Sequence, residues 1–340
     1  YSQVDRLLKG EPFSVERVAP QLGHGLGGSY CTTRMPPDLF NHFQRYLVEE
    51  TRLGIPMIMM GESIHGCMYE GATVFPQAIG LGATFNAELM RDVASAIGRE
   101  CRSVGIAQTY APNLDLSREP RWGRVEENYG EDPYLTERLG VAYIRALQAQ
   151  GVAASPKHYV AHGSPESGLN LGPVHAGERE LRDTFLPPFA AAVQEAGAMS
   201  MMPAYHEWDG IPLHASRFLL TELLRDELGF DGFTVSDFGG VHMLHGFHKT
   251  ADSALEAGRQ ALRAGLDMEA PSPWGFGEAF VDAARRGDIP MAEIDLAVTR
   301  ILRIKSRPGL FENPYVPTGA AALHTPETVA LARRAAHESI

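Results

Sequence analysis

Six short apolar runs, each closed or followed by polar groups, constrain what this chain can fold into more than any other feature. "IPMIMM" leads to Glu62 and His65, "IAQTYAP" to Asn113 and Asp115, and "VAASPKH" ends on Lys157 and His158. "AMSMMP" leads to Tyr205, "GFTVSD" ends on Asp237, and "LDMEA" carries Glu269. Longer amphipathic segments lie between the runs. In "ERELRDTFLPPFAAAVQEAG" Leu181, Phe185, Phe189 and Val193 recur four apart on one helix face, and "FLLTELLRDELGF" stops at Gly229 as a helix should. Strand-then-helix units in series predict a parallel sheet with helices outside.

Two α/β architectures accept that pattern. In a (β/α)8 TIM-type barrel the carboxyl ends of all strands open on one face, so strand-end groups converge on one pocket. A doubly wound open sheet would want a glycine-rich turn opening an early helix to hold a dinucleotide. "GLGGS" (Gly25 to Ser29) has neither a G-x-G-x-x-G pattern nor a clear preceding strand. The barrel is the expectation, and no dinucleotide or other cofactor is expected with it.

Composition narrows the partners. A length of 340 residues with 44% hydrophobic and 21% charged content supports a large core, even one wide domain. The formal charge of -12, with Lys and Arg scattered along the chain, gives no basic stripe for nucleic acid. No run approaches the roughly 18 apolar residues of a membrane helix, so a soluble protein is expected. Cys31, Cys67 and Cys101 are odd in number and lack a CxxC spacing, which suits small core residues better than disulfides or a zinc site. The chain opens on Tyr1 without a signal-peptide pattern, so the compartment stays open: secreted or periplasmic if a leader was removed, cytoplasmic otherwise. The helical pattern "ETVALARRAAHESI" stops at Ile340 without a stop signal, which suggests a piece of a longer polypeptide. Oligomeric state is not readable, and a homodimer is left open.

Each strand-end group has two readings. Asp237, followed by Phe238, Gly239 and Gly240, suits a nucleophile facing a bound substrate, and equally the N-cap of the next helix. Lys157 and His158 together could hydrogen-bond adjacent sugar hydroxyls and bias a nearby carboxylate toward ionisation. The segment "SREPRWGRVEENYGEDPY" reads as a structured loop. In it Arg124 could fork to vicinal hydroxyls or to a carboxylate, or join Glu126, Glu127 and Glu131 in an internal salt-bridge network. Arg118 and Arg121 fit the internal network better. Tyr205 could donate to the nucleophile or be a buried phenol. Trp122, Trp208 and Trp274 suit sugar stacking and core anchoring alike. His158, His162 and Glu166 look like a metal series at four-residue spacing, but Pro156, Gly163 and Pro165 break the helix that would align them. His242, His245 and His248 lack an acidic ligand nearby. No metal is expected.

Taken in order, "GESIHG", "TVFPQAIGLGATFN", "APNLDLSREPRWGRVEENYGEDPYL", "KHYVAHG", "PAY" and "GFTVSDFGG" resemble glycoside hydrolase family 3, the β-glucosidase and β-xylosidase group. The similarity runs over roughly residues 50 to 315, including the tail "GDIPMAEIDLAVTRILRIKSRPGLFENPY". The resemblance implies a barrel over residues 1–312, with 313–340 a linker and the entry into an α/β sandwich domain. It implies Asp237 as nucleophile, Lys157 and His158 as sugar-hydroxyl ligands, Arg124 as the sugar-binding arginine of "WGR", and Tyr205 as the tyrosine beside the nucleophile. Glu62 stands where many of the family's β-glucosidases carry Asp for distal hydroxyls, a longer carboxylate that nudges the pocket toward pentosides. Glu166 is added as a substrate-binding candidate.

The implied reaction is retaining hydrolysis of non-reducing terminal β-D-glucosyl residues from a β-linked oligosaccharide or an aryl or alkyl β-glycoside. A glycosyl-aspartate ester forms, and a second carboxyl, roughly 5 Å from the first, serves as acid and then base. In two-domain members that acid is a Glu from the following domain, and "HTPETVALARRAAHESI" resembles the entry into it. β-Xylosidase is the alternative. Single-barrel members that remove N-acetylglucosamine carry "KHFPGHG" and then an Asp-Ser-His triplet, whereas this chain has "KHYVAHG" and "SGLN", so that activity ranks lower. Glu166, Glu207 and Glu269 are the in-barrel candidates for an acid. A sugar-binding barrel without turnover of its own is the reading from a different class.

Overall fold

The computed structural model describes residues 4–8, 11–30, 35–318 and 322–340. Four short strands, β1 (Gly28–Tyr30), β2 (Ile58–Gly61), β3 (Gln108–Thr109) and β4 (Ala153–Ala154), form a parallel sheet in chain order. β5 (Ser200–Met201) pairs in parallel with β8 (Phe233–Thr234). Between them β6 (Glu207–Trp208) and β7 (Ile211–Pro212) make a small antiparallel hairpin. Single parallel bridges continue the series: Tyr159 with Pro203 joins the end of β4 to β5, and Val235 with Met268 adds the segment bearing Glu269. Leaving the hairpin aside, every described pairing joins neighbours in chain order. A doubly wound sheet requires a reversal of strand order, and these pairings contain none.

Five of the six expected apolar runs contain a strand, and the sixth, "LDMEA", contributes the bridge at Met268. β1 has no counterpart among those runs, because Gly27 and Gly28 dilute the apolar period there. Its register, Gly28 opposite Ile58 and Tyr30 opposite Met60, comes from β2.

Helices cover the strands. The helix Ala87–Ser103 starts where the Asn86 side chain accepts from the Glu88 and Leu89 amides at 3.1 and 3.0 Å, satisfying donors a helix leaves orphaned. It buries Leu89, Val93 and Ile97 fully, each contributing about 2 kcal/mol from apolar burial. The helix Pro133–Gln148 starts at Asp132, whose carboxylate accepts from the Leu135 amide, and packs against it. The expected helix 178–197 runs as Glu178–Glu180, Leu181–Phe185 and Pro187–Gln194. Leu181, Phe185 and Phe189 are buried and Val193 packs against the core. Cys67 and Cys101 are buried, as expected, while Cys31 lies outside the described residues.

The segment expected to be a linker packs against the body of the fold where it is described. Asn41 exchanges two hydrogen bonds with the Val316 backbone, at 2.8 and 3.0 Å. The helix Pro326–Glu338 lies on Ala87–Ser103. There the buried Glu100 carboxylate accepts from the Thr73 amide, the Thr73 hydroxyl and the His324 amide, at 2.9, 2.7 and 2.9 Å. No helix among the described residues is long and apolar enough to cross a membrane.

Candidate active site

Asp237 follows β8 and the Val235 bridge, so its carboxylate leaves the sheet with both oxygens inside the protein. Oδ1 accepts from the Tyr205 hydroxyl at 2.6 Å and from the Phe238 amide at 2.7 Å. Oδ2 is buried without a hydrogen-bond partner and lies 3.5 Å from His158 Nε2. The helix that follows, Gly240–Gly246, has Gly239 at its N-cap in the left-handed region, φ 75°, and takes no side-chain cap. The capping reading of Asp237 therefore fails. The double glycine serves approach as well as turning, since a Cβ on Gly240 would sit 2.2 Å from His214 Nε2, the atom that accepts from the Asp237 amide.

"KHYVAHG" supplies the opposite wall. A Cβ on Gly163 would lie 2.0 Å from the Leu116 carbonyl oxygen, so only glycine lets this turn press against the segment bearing Asp115. His158 Nδ1 lies 2.7 Å from Asp115 Oδ2, and the His158 amide donates to the same carboxylate at 3.2 and 3.3 Å. On its other side, Arg124 Nη2 is 3.0 Å from His158 Nε2. Arg124 forks onto Glu127 with two bonds of 2.8 Å, which is the internal salt bridge, and reaches His158 with the same guanidinium. Asn113 donates at 3.3 Å to Glu127 Oε2, the oxygen that also accepts from Arg124 Nη2.

Lys157 is 4% exposed, and its ammonium donates to Glu62 Oε2 at 2.9 Å. These two line a cleft of about 330 Å³ with Ile64, His65, Arg124 and Glu127. Of the residues anticipated for the site, Asp237, Tyr205, His158 and Arg124 are thus joined by short contacts, and Lys157 and Glu62 share the cleft with Arg124.

Burial sets the proton affinities. Asp237 is raised by burial, against the Lys157 charge, the Tyr205 hydrogen bond and the Phe238 amide. Glu62 is likewise raised by burial, with Lys157 opposing. Burial raises Asp115, against Arg124 and the His158 amide, which favour its ionised form. His158 is held well below its ordinary value by burial and by Arg124 beside it, so it is neutral at neutral pH. Burial works against the Arg124 charge, but the hydrogen bonds and charge of Glu127 overcome it and raise the guanidinium.

The family-model comparison decides the lineage of this pocket. A model described as the glycosyl hydrolase family 3 N-terminal domain matches residues 25–304. The chain belongs to glycosyl hydrolase family 3. It is 42% identical to a β-xylosidase of Formosa agariphila over 77% of this chain and 39% of that protein. It is 38% identical to the lysosomal β-glucosidase of Dictyostelium discoideum, over 85% of this chain and 37% of the relative. A β-glucosidase structure from Erythrobacter marinus superposes with a TM-score of 0.94 at 34% identity, covering 99% of this chain and 46% of that one. A Listeria innocua β-glucosidase solved with isofagomine gives 0.86 at 34% identity, covering 93% and 45%. The chain therefore spans less than half the length of these relatives.

Other candidates of this family 3 chain have partners of their own, and Trp122 lies beneath the Arg124 guanidinium, 5.8 Å from its ring centre. Glu166 pairs with His175 at 3.0 Å, both side chains being exposed, so it is not among the residues brought together. Glu269 accepts the Gly275 and Phe276 amides at 2.9 and 2.8 Å and clamps its own loop. Glu207 lies 3.6 Å from His248 Nδ1. The series 242, 245, 248 does not converge: His242 and His245 pack on Trp274, and His248 Nε2 contacts the Tyr205 carbonyl. Trp122 is 2% exposed with its indole N–H on Asn170, a core anchor. Trp208 donates to the Ala176 carbonyl and stacks on Phe218. Asp115, His158 and His162 offer ligand atoms within 4.8 Å of one another. Within this trio Asp115 and His158 hydrogen-bond each other, and His162 Nε2 lies 2.9 Å from the Asn170 carbonyl while its Nδ1 has no partner.

Asp115 and His214 belong to the site although the sequence does not single them out for it. Asp115 is visible as a strand-end acid in "APNLDL", but nothing local ties it to a histidine 43 positions on. His214 carries no sequence signal that connects it to Asp237.

Proposed function

We propose that this chain is the (β/α)8 barrel of a retaining, exo-acting β-D-glycosidase that attacks the anomeric carbon of a terminal β-D-glucosyl residue with Asp237. The observation that carries the reading is the asymmetry of that carboxylate. Oδ1 is held by two donors, and Oδ2 is buried, unpartnered and turned toward His158. Such an oxygen is oriented by its partner donors and free to form a bond. Parallel pairing in chain order supports the barrel.

In this reading Oδ2 bonds to C1 as the glycosidic C–O bond breaks, and the leaving oxygen takes a proton from a carboxylic acid. Water then attacks C1, gives its proton back to that group, and releases Asp237 and a sugar with retained configuration. Arg124, Lys157 and Glu62 bind ring hydroxyls, His158 orients the Arg124 guanidinium through Nε2, and Tyr205 steadies the nucleophile. No role is proposed for Glu166. Since Glu207 and Glu269 are engaged elsewhere, the acid/base carboxyl is assigned to a domain that follows the barrel in the complete polypeptide. The greater length of the relatives supports this assignment.

A β-xyloside is the second reading, favoured by Glu62 and by the similarity to a relative named β-xylosidase. Treatment with a 2-deoxy-2-fluoro β-glycoside, followed by peptide mapping, tests the main reading. A stable ester on Asp237 is expected, and a label on any other residue defeats it. Parallel kcat/KM values for aryl β-glucoside and aryl β-xyloside decide the sugar, and a tenfold preference for the xyloside would place the pentoside first.

A further inference from the structure

We propose that Asp115 is a positioning residue that holds His158 as its Nδ1–H tautomer and thereby keeps a hydrogen-bond donor away from Asp237 Oδ2. The inference rests on the reading of Asp237 as nucleophile.

Arg124 fixes where the ring carries its proton, because a guanidinium has donors only. Its Nη2 lies 3.0 Å from His158 Nε2, so Nε2 must accept through its lone pair. A neutral imidazole carries one proton, and with Nε2 accepting, that proton is on Nδ1. There it meets Asp115 Oδ2 at 2.7 Å. The same carboxylate takes the His158 amide, so ring and backbone are fixed by one group. Asp115 and His158 are each 1% exposed, which leaves no bulk water to offer the ring another partner. Asp115 is in turn steadied through its own amide, which donates to Asn113 Oδ1 at 2.9 Å.

The consequence falls on the nucleophile. His158 Nε2 and Asp237 Oδ2 stand 3.5 Å apart, and with the proton on Nδ1 they face each other as two acceptors. Oδ2 has no hydrogen-bond partner in this geometry, and the ring nitrogen beside it offers none while it accepts from Arg124. With the proton on Nε2, the ring would point an N–H at Arg124 and offer a donor to Oδ2. The Arg124 contact would then set donor against donor and drive the ring toward Oδ2, 3.5 Å away. A small approach would engage both oxygens of Asp237, Oδ1 being already held by Tyr205 and Phe238. A carboxylate hydrogen-bonded at both oxygens is a weaker base and nucleophile. Asp115 thus acts on the reaction through His158 without touching the substrate.

The test uses the complete polypeptide labelled with ¹⁵N-histidine, with the His158 resonances assigned by their loss in His158→Gln. At neutral pH the expected spectrum has a pyrrole-type Nδ1 and a pyridine-type Nε2, and the reverse pattern or an imidazolium overturns the proposal. A second measurement follows the rate of ester formation from a 2-deoxy-2-fluoro glycoside in Asp115→Ala. The first-order constant should fall about tenfold, the worth of one hydrogen bond, with a smaller change in the glycoside's dissociation constant. An unchanged first-order constant in folded Asp115→Ala overturns it as well. Failure of the wild type to label at Asp237 is a separate outcome: it removes the nucleophile reading, and the proposal with it, whatever the tautomer.

Discussion

The Tyr205 hydroxyl lies 2.6 Å from Asp237 Oδ1 and 3.1 Å from the Phe238 carbonyl. A phenol has one proton, and the shorter contact assigns it to the carboxylate. Tyr205 is itself raised by burial and by the Asp237 charge, so it stays a donor throughout the working pH range. It favours the ionised form of Asp237, whereas burial favours the protonated form.

The pH dependence follows in sign. Asp237 is raised in the folded protein, and as the proposed nucleophile it must be ionised, so activity is expected to be lost as pH falls through that elevated value. The acid limb of ester formation from a 2-deoxy-2-fluoro glycoside, a step for which no acid/base carboxyl is needed, should lie above the ordinary aspartate value of about 3.9. Tyr205→Phe removes a donor to the charged form, which should move the limb higher and lower the rate at neutral pH about tenfold to a hundredfold. A limb at or below the ordinary value would contradict the burial argument.

Arg124→Lys tests the fork. Lysine keeps the charge but cannot hold Glu127 through two parallel bonds while donating to His158. kcat/KM for an aryl glycoside should fall about a hundredfold, equivalent to about 2.7 kcal/mol of transition-state stabilisation. Glu127→Gln should fall by less, because the guanidinium keeps one acceptor and its contact with His158. Equal effects of the two substitutions would mean that Arg124 matters only through its bridge to Glu127.

Glu62→Asp shortens the carboxylate that Lys157 holds at 2.9 Å. If the longer side chain fills space beside the sugar's hydroxymethyl group, the variant should improve the ratio of kcat/KM for aryl glucoside over aryl xyloside by about tenfold, the lower end of the worth of a methylene. A ratio that moves toward the xyloside would show that Glu62 does not set this preference.

Lys305 offers a test of stability away from the site. It is 1% exposed, donates to the Leu26 and Pro56 carbonyls at 3.3 and 2.7 Å, and burial lowers it to about 7. The unfolded chain binds its proton up to about 10.4, so between about 7 and 10.4 the unfolded state carries more protons and this group's contribution rises with pH. Chemical denaturation of wild type and Lys305→Met should show the difference moving in favour of wild type from pH 7 to pH 9. A difference independent of pH would mean that the amine is not suppressed.

The sequence by itself carried the alternation of strand and helix and the set of strand-end groups. Those features rest on local period and on residue type, which backbone geometry reads directly. Asp237, Tyr205, Lys157 and His158 were legible for that reason, and β1 was not, because its glycines weaken the period. That Asp237 does not cap the next helix was decided only when Gly239 was seen to occupy the cap position. The partner of Arg124, the exposure of Glu166 and the bond from Asp115 to His158 were decided only by the tertiary structure. The contacts that build the site join residues as far as 95 positions apart, as in Tyr205 with Asp237, 32 apart, and Lys157 with Glu62, 95 apart. No local period encodes such pairs, since their distance and donor direction exist only once the strands have brought their ends together and burial has removed water as a rival partner.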